Sequence, residues 1–147
     1  MNLIKATLLC LALLSITGCG QHARERELDS TNFDAATLRE VEQETGVKLP
    51  AGAKGLNYYY KPPIDPIYIA RIALPATAKD EMVKHLSALP QKLIGNSKNA
   101  TGLLSWWHPE TENIVVERIS INDRGTYHHA ILTEKDGAFT LYLYLSY

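Results

Sequence analysis

Residues 113–147 constrain the fold of this chain most, because they read as three strands divided by two tight turns. The spacing predicts strands over 113–121, 126–133 and 138–147, broken at Asn122-Asp123-Arg124-Gly125 and Lys135-Asp136-Gly137. In the last strand Phe139, Leu141, Leu143 and Leu145 alternate with Thr140, Tyr142, Tyr144 and Ser146. Successive strand side chains point to opposite faces, so one face is aliphatic and the other polar-aromatic. If Asp136-Gly137 forms a two-residue type I′ loop, Leu132 opposes Leu141, Ala130 opposes Leu143, Ile131 opposes Tyr142 and His129 opposes Tyr144. That register gathers Tyr127, His129, Ile131, Tyr142 and Tyr144 on the face away from the aliphatic layer. The register of the preceding hairpin stays open, since a loop of three or of four residues would exchange the two faces.

Upstream, a helix is expected over about 33–45. Thr31 and Asp34 have capping-box spacing, Leu38, Val41 and Thr45 recur at helical intervals, and Gly46-Val47 gives a Schellman-type stop before Pro50. Strands over 56–60 and 67–74 follow, joined by Lys61-Pro62-Pro63-Ile64-Asp65-Pro66, where three prolines forbid ladder donors. A second helix begins with Thr77 as cap and Asp80 three residues on; Met82, Leu86 and Leu89 form its apolar stripe, which ends at Pro90, and His85 falls at the boundary. The expected fold is α+β: an antiparallel sheet made of a hairpin and a three-strand C-terminal meander, with two helices on its aliphatic face. Two helices barely cover one side. The face carrying Tyr127, His129, Tyr142 and Tyr144 is therefore expected to be open, either as a docking surface for a partner or as tyrosines lying singly on a wet face.

The N-terminus carries a different signal. Lys5 precedes an apolar stretch over 6–16, shorter than the ~20 residues a helix needs to span a bilayer, which reads as the hydrophobic region of a signal peptide. It closes on Leu14-Ser15-Ile16-Thr17-Gly18-Cys19, a run that resembles a bacterial lipobox. The resemblance implies cleavage after residue 18, diacylglyceryl transfer to Cys19 and a membrane held through acyl chains. Gly20 stands where Asp would mark inner-membrane retention, so the resemblance further implies an outer-membrane anchor with the domain facing the periplasm. Cys10 would leave with the signal and Cys19 would be acylated, so no internal disulfide can form. Residues 20–32 hold Leu28 as the single large apolar side chain and are expected to be a flexible tether with a reach of roughly 40 Å at about 3.3 Å per residue. One globular domain is expected over 33–147.

Signal removal takes Lys5, so the 15 basic and 16 acidic residues become 14 and 16, a formal net charge of −2 with histidine neutral. That balance, with no basic run, opposes nucleic-acid binding. There is no Gly-x-Ser-x-Gly elbow, no His-Glu-x-x-His and no phosphate loop. No metal site and no cofactor is expected; the adjacent His128 and His129 diverge on a strand. Glu110 and Glu112 beside His108 are the one candidate acid-base group, in a turn next to Pro109. Trp106 and Trp107 are adjacent, so one is expected to pack inward and the other to lie at the surface, as a hydrophobic plug or as an aromatic lip for a ligand. The sequence is thus read as an envelope lipoprotein with a non-enzymatic binding, accessory or immunity-type role and an envelope protein as partner; the alternative is a small periplasmic hydrolase using His108 with Glu110 or Glu112. Partner contacts are expected at Trp106, Trp107, Tyr127, His129, Tyr142 and Tyr144.

Overall fold

The computed structural model describes residues 24–62, 64–91 and 102–147 of the 147-residue chain. The signal segment, Cys19, Gly20 and most of the polar loop after Pro90 lie outside the described residues. Six strands form one antiparallel sheet: β1 (Arg26–Asp29), β2 (Lys54–Lys61), β3 (Ile67–Leu74), β4 (Asn113–Ile121), β5 (Tyr127–Lys135) and β6 (Ala138–Ser146), in the spatial order β1-β2-β3-β6-β5-β4. Helix α1 (Ala35–Thr45) lies between β1 and β2, and α2 (Lys79–Ser87) follows β3. The fold is α+β, with the expected meander and both helices on the aliphatic face.

The C-terminal hairpin has the expected register, Leu132 opposite Leu141, Ala130 opposite Leu143, Ile131 opposite Tyr142 and His129 opposite Tyr144. Asp136 and Gly137 have φ of 52° and 77°, the left-handed pair a type I′ turn requires. The open register is settled by a three-residue loop: the Asn122 N–H donates to the Thr126 carbonyl at 3.0 Å, and Gly125 takes φ 82°. Ile121, Ile119 and Glu117 therefore oppose Tyr127, His129 and Ile131.

Local chemistry places the helices. Asp34, in extended conformation, accepts from the Thr37 N–H at 2.9 Å, so Asp34 and not Thr31 begins α1. Gly46 stops the helix with φ 69°, its N–H donating to the Glu42 carbonyl at 2.9 Å. At α2 the expected Thr77 cap is corrected. Thr77 lies inside a 3₁₀ turn, Ala76–Ala78, that leads directly into the helix. Met82 and Leu86 are buried as their spacing requires, and Leu89 packs against the same core.

The expected tether is also corrected in its described part, 24–32. Arg26–Asp29 pairs with β2, Arg26 opposite Tyr60 and Asp29 opposite Asn57. Arg26 substitutes for an apolar residue: its guanidinium carbon lies 5.3 and 5.2 Å from the ring centres of Tyr58 and Tyr60, and it bridges to Glu40 of α1. Arg26 and Leu28 thus point to the helix side, while Glu27 and Asp29 face water and blunt the sheet edge.

The core has two compartments. On the helix side Val41, Met82 and Leu86 meet Tyr58, Ile72, Leu132, Leu141 and Leu143. On the other side Ile69, Ile131, Tyr142 and Tyr144 are covered by Leu104 and Trp107 from the irregular segment that precedes β4. Covered on both faces and flanked by β3 and β5, β6 is buried from Phe139 to Ser146.

Candidate functional site

Trp107 is completely buried and Trp106 half-buried, the expected division of the pair. Trp107 stands edge-on to Tyr142 and Tyr144 with ring centres 5.4 and 6.4 Å apart, and Tyr127 meets Tyr144 at 5.6 Å. The expectation of an open aromatic face is therefore corrected: Tyr127, His129, Tyr142 and Tyr144 are buried within the chain itself. They form a second core, sealed by the loop that carries both tryptophans. Burial pushes the Tyr127 and Tyr142 hydroxyls up to about 12. His129 keeps its Nε2 2.7 Å from Glu117 Oε1. Of the six residues proposed for partner contact, Trp106 alone keeps appreciable exposure.

The acid-base candidates are divided by the same geometry. Glu112 is nearly buried and is held by three neighbours: it accepts from the Tyr142 hydroxyl at 2.9 Å and from the Thr133 hydroxyl, and Arg71 Nη2 lies 3.6 Å away. The Arg71 guanidinium also sits 5.6 Å from the Tyr142 ring centre. This arrangement ties the start of β4 to β3, β5 and β6. His108 Nδ1 and Glu110 Oε1 pair at 2.9 Å in an exposed turn, and the hydrogen bond holds the Glu110 carboxyl below its usual range. Neither group lines either of the two cavities described below. Nor, among those residues, do three or more His, Cys, Asp or Glu side chains converge as a metal site would require.

A half-open cleft lies on the helix side instead. A cavity of about 290 Å³ opens where α1 and α2 end over β4, β5 and β6. Its walls are largely apolar, from Val47, Leu89, Ile121 and Leu143, and its polar groups include Arg118, Ser120, Asn122 and His128. Turn chemistry builds the rim: the Asn122 side chain accepts the N–H groups of Arg124 and Thr126, each at 2.9 Å. Gln91, just past α2, accepts from the Ile119 N–H at 3.3 Å and fastens that end to β4. Burial lowers His128 below the ordinary histidine value of 6.5, so the imidazole facing the cavity is neutral at pH 7. Comparison with protein-family models, curated proteins and solved structures returned no match to this chain.

A second space of about 340 Å³ lies between Lys48, Pro50 and α2. Its rim carries Lys48, Glu81 and Lys84, long exposed charged side chains, whereas strands and helix ends wall the first. Sequence reasoning missed the first cavity because its lining comes from five separate segments, none of which carries a motif. The one available signal was the pair of helix stops at Gly46 and Pro90, which leaves β4 and β5 uncovered at that end.

Proposed function

We propose that this protein is a lipid-anchored envelope protein that binds, without chemistry, a small ligand or partner side chain of apolar body and polar or anionic end. The observation that supports the binding role is the apolar-walled cavity with Arg118 and His128 on one side, a neutral donor-acceptor beside a fixed cation. A lipobox ending at Cys19 supports the anchor, and no helix among the described residues is long and apolar enough to cross a membrane. The rim of the cavity belongs to turns and caps that need no partner to form, so the site is preorganised. The role fits an accessory or immunity-type lipoprotein acting at the outer membrane, facing the periplasm.

The test has two arms. Anilinonaphthalene sulfonate, an apolar probe with one anionic group, should bind saturably with enhanced fluorescence. Ser120→Phe, which fills the cavity from the edge strand, should abolish that binding, and Arg118→Gln should weaken it. Both variants binding the probe as the parent does would overturn the cavity reading. For the anchor, cells fed a palmitate analogue should label the protein, and Cys19→Ser should lose both label and membrane retention, because each buried methylene of the acyl chains contributes about 0.8 kcal/mol. Retention of the unlabelled variant would overturn the anchor.

A further inference from the structure

We propose that the end of the sheet where β1 begins lies against the lipid bilayer, with Ile64 of the β2–β3 connection seated among the headgroups; this rests on the reading of Cys19 as the acylated residue. The first observation is a length. Strand pairing starts at Arg26, seven residues beyond Cys19, so even a fully extended connection spans no more than about 25 Å. The domain is held close to the surface that takes the acyl chains, and the end of the sheet at which β1 begins is the one held closest.

The second observation is what that end carries. Arg26 opposes Tyr60, and the next residue of β2, Lys61, closes on Ile67, so the start of β1 and the β2–β3 connection are neighbours across one strand spacing of about 4.8 Å. At this connection Ile64 is 86 % exposed, the most exposed of the large hydrophobic side chains among the described residues. Tyr147 is 48 % exposed and is fastened to the same connection, its N–H donating to the Pro66 carbonyl at 3.2 Å. A single exposed isoleucine is ordinary on a soluble surface. Here it stands beside the tether and beside a tyrosine, the ring favoured at the boundary between lipid and water.

The third consideration is energetic. One isoleucine binds lipid too weakly to recruit a protein, but once the acyl chains are inserted the contact is intramolecular, at an effective concentration in the millimolar range for a short linker. Exposed Arg24 and Lys61 are offset by exposed Glu25 and Asp65, so the contact is apolar in character and does not depend on anionic lipid.

The experiment uses the lipidated full-length protein bearing Ile64→Cys. Its introduced thiol is the one free thiol once Cys19 is acylated, and it takes an environment-sensitive fluorophore. Ile114→Cys, exposed at the opposite end of the sheet, is the reference. In phosphatidylethanolamine and phosphatidylglycerol vesicles containing nitroxide-labelled lipid, the label at 64 should be blue-shifted and quenched several-fold more strongly than the label at 114. Equal quenching at the two positions, or none at 64, overturns the orientation, and docking of Ile64 on a protein would give the latter. Palmitate-analogue uptake is scored on the same samples. Uptake without quenching at 64 removes the orientation and leaves the anchor standing, whereas no uptake removes both.

Discussion

Gly55 has no room for a side chain. A Cβ there would lie 2.1 Å from Cγ of Phe33, whose ring rests on the bare backbone of β2 and meets Tyr58 at 5.5 Å. Gly55→Ala should therefore displace Phe33 and cost roughly 1–3 kcal/mol, as overpacking does. Chemical denaturation measures it, and because both changes act on one contact, Gly55→Ala with Phe33→Ala should cost less than the sum of the two alone. A second expectation at this scale is a pH dependence. Burial lowers His128 in the folded state, so the unfolded chain binds more protons as pH falls through 6.5, and stability present above that value is lost below it. The denaturant midpoint of the parent should fall between pH 7.5 and pH 5 by more than that of His128→Gln. Parallel pH profiles for the two proteins would show that His128 does not contribute.

At the scale of elements, α2 gives the sharpest comparison. Leu86 is completely buried against the sheet, and Leu86→Ala should lower stability by roughly 2–5 kcal/mol. His85, one residue away, accepts a 3.3 Å hydrogen bond from the Lys48 N–H; His85→Ala should cost about 0.5–1.5 kcal/mol. Thermal unfolding of the two variants checks the ratio, and equal losses would contradict the helix orientation. The stripe of α2, the C-terminal register and the helix stop at Gly46 were legible because each depends on neighbours a few residues away. The rest depends on distance along the chain. β1 was hidden by its composition, since Arg26 does the work of an apolar residue only when Tyr58, Tyr60 and Glu40 surround it. The sealed aromatic face was hidden because its cover has no period; adjacency of Trp106 and Trp107 revealed that one ring must turn inward, but not that it would land on Tyr142. The cavity at the ends of α1 and α2 was invisible for the same reason.

Across the whole molecule, the strand order β1-β2-β3-β6-β5-β4 joins two halves of the chain through one central strand. Leu143→Pro in β6 should abolish the fold, since it removes a central ladder donor and disturbs pairing with both Ala70 and Ala130. Leu28→Pro in the edge strand should loosen β1 while the other five strands stay protected in amide hydrogen exchange. A cooperative collapse of both variants would contradict this hierarchy. The position of β6 also sets an order of assembly. It is the last of the six strands in chain order, yet β3 and β5 each offer an inner edge that only β6 completes. Until it arrives, the run Ile67-Tyr68-Ile69-Ala70-Arg71-Ile72 holds a single charge and exposes ladder groups to any passing chain. Closure between distant partners is slow, in the range of milliseconds to seconds for sheets of this kind, so the interval between the synthesis of β3 and that of β6 is when this protein most needs a chaperone.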